Sequence, residues 1–124
     1  MPDSVGGSGS CLCGGVRYRV IGDLRDVSAC HCTQCRKTTG HFGAFSACLD
    51  NDLRMEMADT LTWYHSSPDA RRGFCSRCGS TLFWKNESRN YTAIAAGSLD
   101  QPTGVRLVKH IFVADKGDYY EIES

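Results

Sequence analysis

Residues 16–21, Val16-Arg17-Tyr18-Arg19-Val20-Ile21, alternate apolar and charged side chains, the period of a half-buried strand. Residues 44–49 (AFSACL) form a second candidate strand, which stops at Asn51-Asp52, a turn signal. Residues 61–64, 81–84 and 91–95 extend the series, and Gly97, Ser98, Asp100 and Pro102 then break it. Residues 109–113 resume it, 115–118 predict a turn, and 119–122 predict a last short strand. No segment carries a sustained helical stripe with caps; only residues 35–39 suit about one helical turn. There is no internal repeat and no linker. Residues 1–10, rich in Gly and Ser, predict a flexible tail, which leaves 11–124 as one domain. The pattern predicts a mainly β domain of short antiparallel strands.

Composition narrows the partners. At 124 residues the chain suits a single domain with one modest core. Fourteen Lys+Arg balance fourteen Asp+Glu, which speaks against a nucleic-acid partner. The first ten residues lack the basic and apolar regions of a signal peptide, and no apolar run approaches about 18 residues. The expectation is a cytoplasmic protein with no membrane contact. Eight cysteines then change the picture, because thiols in a reducing compartment stay free or hold metal.

Seven of them fall into three tight groups: Cys11-Leu12-Cys13-Gly14-Gly15, Cys30-His31-Cys32-Thr33-Gln34-Cys35, and Cys75-Ser76-Arg77-Cys78-Gly79. Zinc takes four tetrahedral ligands, and two cysteines from each of two turns make a closed site. Gly14 and Gly79, each after a second cysteine, suit the positive φ of such turns. Pairing Cys11 and Cys13 with Cys75 and Cys78 leaves Cys30, Cys32 and Cys35 as a three-thiolate group with an open position, the arrangement of a catalytic zinc. His31 is a conceivable fourth ligand, although a flanking side chain in so tight a loop tends to point away. Arg36 and Lys37 follow at once and can offset the thiolate charge or receive an anion. Two other arrangements stay open on spacing alone. Cys32 and Cys35 with Cys75 and Cys78 would make a single-zinc ribbon, and disulfides would need an oxidising compartment. Cys48 stands alone in an apolar segment and reads as core.

Together CLCGG, CHCTQCRK and FCSRCGSTLFW resemble the glutathione-dependent formaldehyde-activating enzyme family, which shares its domain with centromere protein V. The likeness runs from about Cys11 to residues 109–115. It implies an Mss4-like, β-tent fold, a structural zinc on Cys11, Cys13, Cys75 and Cys78, and a second, active-centre zinc on Cys30, Cys32 and Cys35. The implied activity is condensation of formaldehyde with glutathione to S-hydroxymethylglutathione, a reaction classed with carbon–sulfur lyases. A thiolate attacks an aldehyde carbon there, and a nearby N–H or cation steadies the oxyanion. Arg36, Lys37 and His110 are the first candidates to touch substrate, with Arg71, Arg72, Arg77 and Lys109 as further partners for the carboxylates of glutathione. His41 and His110 can handle protons, and Phe42 and Phe45 can wall a pocket. Family enzymes proper are longer chains, so the likeness speaks to fold and metal more than to substrate. From another class, a zinc-stapled module that binds a protein, or less readily nucleic acid, uses the same cysteines without catalysis. With seven thiolates on two zinc ions the formal balance would move from zero to about −3, a mildly acidic holoprotein.

Overall fold

In residues 16–21 the alternation is realised: Val16, Tyr18 and Val20 are buried, while Arg17 and Arg19 face solvent. A computed structural model describes residues 5–122. The chain runs β1 (Val5–Ser10), β2 (Val16–Ile21), β3 (Val27–Cys30), α1 (Thr33–Thr39), β4 (Gly43–Leu49), β5 (Leu53–Ala58), β6 (Leu61–His65), β7 (Ala70–Cys75), β8 (Thr81–Asn86), β9 (Tyr91–Ala95) and β10 (Leu107–Ile111). Short 3-10 turns lie at Asp50–Asp52, Ala96–Ser98 and Val113–Asp115. The fold is mainly β, as the pattern predicts. No helix among the described residues is long and apolar enough to cross a membrane.

Two sheets share the work. The small one has the order β1-β2-β5, and the large one β10-β3-β4-β9-β8-β7-β6, antiparallel throughout except for the β10–β3 pair. The register in the middle of the large sheet sorts side chains onto two faces. Cys48, Phe83 and Ile94 meet Val16, Tyr18 and Val20 of the small sheet in one apolar core. Phe45, Trp84 and Ala93, each one residue out of phase, gather with Cys30, Cys32 and Cys35 in a second cluster. Cys48 is core, as its apolar surroundings predict.

The expected tail is corrected. Residues 1–4 lie outside the described residues, but Val5–Ser10 is a strand paired with β2. Glycine is required there by close approach: a Cβ on Gly9 would collide with the Tyr18 hydroxyl and the Ser98 carbonyl, which lie against it. The Tyr18 hydroxyl in turn meets Ser98 Oγ at 2.6 Å. Strands β1, β3 and β7 carry no clean alternation and are not predicted; β5 alternates apolar and charged residues over 53–57, yet it too is missing from the predicted series. The strand expected at residues 119–122 does not form. Tyr119 and Tyr120 turn their hydroxyls onto histidines instead.

One polar anchor closes the β4–β5 corner. Lys85 Nζ reaches Asp50 Oδ2 at 2.6 Å, and the Thr92 hydroxyl donates to Asp50 Oδ1 at 2.7 Å. Partial burial works against the Asp50 charge, but the hydrogen bonds from Lys85 and Thr92 and the Lys85 charge outweigh it and hold the carboxyl below its ordinary value. A depressed carboxyl contributes stability above the unfolded value and loses it as pH falls through the folded one. Asp50→Asn should therefore cost about 1 kcal/mol at pH 7, screened because Asp50 is partly exposed. The gap to wild type should close below about pH 4, the ordinary aspartate range. Urea melts at pH 7 and pH 3.5 check it; a pH-independent gap would remove the charge from the explanation.

Candidate metal centres and cavity

The loop between β1 and β2 brings Cys11 and Cys13 against Cys75, at the end of β7, and Cys78 in the turn that follows. All four sulfurs lie within 4.8 Å of one another. Cys13 Sγ is 3.7 Å from Cys11 Sγ and 3.6 Å from Cys75 Sγ, close to the edge of about 3.8 Å that tetrahedral zinc–sulfur bonds require. Both turns are built for this. Gly14 and Gly79 have φ of 81° and 79°, and N–H groups of Val16 and Cys78 donate to Cys11 Sγ and Cys75 Sγ at 3.3 and 3.4 Å. The Thr60 hydroxyl beside Cys75 lowers that thiol, and Ser80 brings Cys78 down to about 5. The donor set fits zinc as a closed site.

The second group sits on the opposite face of the large sheet. Cys30 ends β3, Cys32 caps α1 and Cys35 occupies its first turn, with the three sulfurs again within 4.8 Å. The cap is a sulfur: Cys32 Sγ accepts the Cys35 N–H at 3.3 Å. Gly40 ends the helix in the left-handed region at φ 89°. From β7, buried Arg72 points Nη2 at Cys35 Sγ, 3.5 Å away, and its Nε and Nη1 are buried without a partner. A hydrogen bond from Cys30 first, and Arg72 after it, draws Cys35 down to about 5, while the proton is held on Cys30. These three sulfurs also fit zinc, with one position left for another ligand. All eight cysteines are free thiols, and neither the disulfide nor the ribbon grouping is assembled.

A cavity of about 330 Å³ opens beside this group, walled by Phe45, Trp84, Tyr91, Ala93, Ile111 and Phe112. Its polar side chains come from Arg25, Ser28, Gln34 and Arg72 together with the cysteines. Of the residues expected to touch substrate, Arg36, Lys37 and His110 do not line it. Each helical residue turns about 100°, so with Cys35 buried against the sheet its two successors leave on other faces, and Lys37 is exposed. Arg71 is also elsewhere, stacked 4.0 Å over Trp63 and paired with Glu87. Phe45 and Arg72 do line it. Arg25, Gln34, Trp84, Tyr91 and Phe112 are not singled out by the sequence: Gln34 and Trp84 sit in cysteine motifs as non-ligating positions, the others lie outside them, and all five meet only in the folded chain.

His31 faces away from the sulfurs. Its Nε2 lies 2.9 Å from His110 Nδ1 and its Nδ1 2.6 Å from the Tyr120 hydroxyl, so both nitrogens are engaged. Burial, then the neighbouring His110 and His41, push its pKa down, which keeps it neutral at pH 7. One ring nitrogen therefore donates and the other accepts. His110, expected to face substrate, instead belongs to this pair, and His41 bonds Tyr119 at 2.6 Å.

With this geometry in view, the family model described as glutathione-dependent formaldehyde-activating enzyme matches residues 7–115. The chain belongs to that family. The family match begins inside the stretch expected to be a tail, in keeping with β1. A Halomonas elongata protein provisionally named as a glutathione-dependent formaldehyde-activating enzyme is 32% identical over 130 aligned positions, covering 94% of this chain and 80% of the relative. An uncharacterized lyase of Schizosaccharomyces pombe is 30% identical over 118, covering 94% and 85%. A Rhodobacter sphaeroides protein of known crystal structure superimposes with a TM-score of 0.68 at 25% identity, over 83% of this chain and 98% of that one.

In this formaldehyde-activating-family chain the segment after β10 is fastened to the Cys30–Cys35 loop through His31. Tyr120→Phe leaves a nitrogen of buried His31 without its partner and should cost about 1–2 kcal/mol of stability. Thermal melts check this, with bound metal counted in parallel; an unchanged melting temperature would show that the Tyr120 contact is dispensable.

Proposed function

We propose that the chain is a zinc enzyme that makes or breaks the C–S bond of a thiol–aldehyde adduct, in the manner of an S-(hydroxymethyl)glutathione synthase acting on formaldehyde and glutathione. The observation that carries the reading is the contrast between the two cysteine groups. One is a closed set of four sulfurs, and the other is a set of three on the wall of a cavity with a buried guanidinium beside it. In this reading Cys11, Cys13, Cys75 and Cys78 hold a structural zinc, and Cys30, Cys32 and Cys35 hold the catalytic one. Zinc, when bound by the three, supplies Lewis acidity and a position at which a thiol is favoured as thiolate.

The chain's own residues do the rest. Arg72 balances the thiolate charge through Cys35, and its two unpartnered donors suit the oxygen that becomes negative as sulfur attacks carbon. Phe45, Trp84 and Ile111 exclude water, which would otherwise hydrate the aldehyde. In the forward direction the S–C bond forms, the C=O π bond breaks, and the thiol's proton ends on the oxygen; the lyase direction is the reverse. A purely structural module would need a fourth protein ligand at the second group. Among the described residues no His, Cys, Asp or Glu joins it. Eight free thiols suit a reducing compartment.

Native mass spectrometry should find two zinc ions per chain. Cys32→Ser should lose one of them and at least about a hundredfold in adduct turnover, in line with removal of a catalytic-metal ligand. Cys75→Ser should instead lower the melting temperature sharply. If Cys32→Ser kept both full metal content and full turnover, the enzyme reading would fail.

A further inference from the structure

We propose that the cavity beside Cys30, Cys32 and Cys35 selects an adduct with an aromatic or similarly apolar body and at most one negative charge, and that Phe112 sets this specificity at the cavity mouth. The inference rests on the thiol–aldehyde chemistry proposed above and departs from it in the thiol, which it takes to be aryl or similarly apolar rather than glutathione. Formaldehyde contributes one carbon and one oxygen, so the adduct's size comes from its other partner. A cavity of about 330 Å³ must be filled by that partner or left wet against aromatic walls.

Charge decides what the filler is. Arg25 and Arg72 supply the cationic side chains of the lining, and among the described residues no carboxylate lines it. Arg72 gives one donor to Cys35, and its other two are kept for the oxygen in the reading above, whereas Arg25 is exposed and rests its Nη2 on the Phe45 carbonyl at 2.9 Å. One anionic group can therefore meet Arg25 at the rim. The ammonium group of a peptide such as glutathione finds no acid in the lining, and its second carboxylate finds no free cation, only the neutral Ser28 and Gln34 and apolar wall. A charged group without a partner is costly there.

Phe112 supplies an independent observation. It is the one non-glycine residue with a left-handed backbone among those described, at φ 55° and ψ 41°, which a bulky side chain rarely adopts. The residue is 63% exposed, yet it borders the cavity directly after Ile111. The 3-10 turn that follows, with Asp115 N–H donating to the Phe112 carbonyl at 3.1 Å, fixes this geometry. Glycine would suit that backbone better, and an exposed aromatic ring at the mouth gives an apolar ligand a surface to cover.

The test uses zinc-loaded full-length protein and three thiols of similar acidity: benzyl mercaptan, 4-(mercaptomethyl)benzoate and glutathione. Binding is read by tryptophan fluorescence, since Trp84 forms part of the wall. The expected order of affinity is 4-(mercaptomethyl)benzoate, then benzyl mercaptan, then glutathione. Arg25→Gln should erase the difference between the first two. Phe112→Gly should weaken both aryl thiols about tenfold, the scale of one lost aromatic contact, and change glutathione less than about twofold. Its melting temperature should not fall, because the left-handed strain is relieved; Phe112→Leu, which keeps an apolar body, should recover part of the affinity. Glutathione as the tightest ligand, or a Phe112→Gly effect equal on all three thiols, would overturn the inference and leave the enzyme reading standing. Failure of all three thiols to bind would overturn both.

Discussion

Four sulfurs within 4.8 Å of one another are the constraint on which the fold depends. As thiolates they would repel one another. A bound cation would offset that charge, so the geometry suits a metal at this corner. Cys11 and Cys75 are themselves buried among Val16, Phe83 and Ile94. The cluster therefore pins the β1–β2 loop to the β7–β8 turn from inside the core. That matters because the small sheet has three strands, and one of them, β1, is largely glycine and serine with little apolar surface of its own.

Once the two sheets are pinned, the pleat of the large sheet places the second site. Adjacent residues point to opposite faces, so Phe83 and Ile94 serve the core while Trp84 and Ala93 serve the cavity. A shift of one residue in β8 or β9 would exchange core and cavity walls, and the buried core therefore enforces the register that builds the site. The same segments build the core and the cavity wall with no extra structure. That economy suits a chain of 124 residues.

The sequence made the metal chemistry legible because sulfur ligands must be close in the chain when their loops are tight. CxC and CxxC spacing with a following glycine reports turn geometry directly, and the structure gathers the same four and three cysteines. The alternating strands were legible for the reason that Arg17 and Arg19 interrupt Val16, Tyr18 and Val20. What remained hidden depends on contacts distant in the chain. Gly9 reads as linker until Tyr18 and Ser98 close on it, and Arg72 looks like any surface cation until β7 pairs with β8 beside Cys35. Tyr119 and Tyr120 have the composition of a strand, yet side-chain bonds to His41 and His31 take them out of any sheet. Arg36 and Lys37 misled because adjacency in sequence is not adjacency in space on a helix.

Electrostatics tie the two sites to the balanced composition. Four thiolates around a divalent cation leave two negative charges in excess, and Cys13 and Cys78 bring that site to the surface, where water screens it. Three thiolates around a second cation leave one in excess, and there the buried Arg72 supplies the single compensating charge. With a metal bound the second site would be near neutral, and a thiolate arriving there would make it an anion beside an apolar wall. The two unpartnered donors of Arg72 lie where they could meet that charge. A carboxylate carried deep into the same cavity would add a further negative charge with no second buried cation to meet it. Arg25, exposed at the rim, is where such a group could be held in contact with water, so the charge of this cavity is asymmetric between its buried end and its mouth.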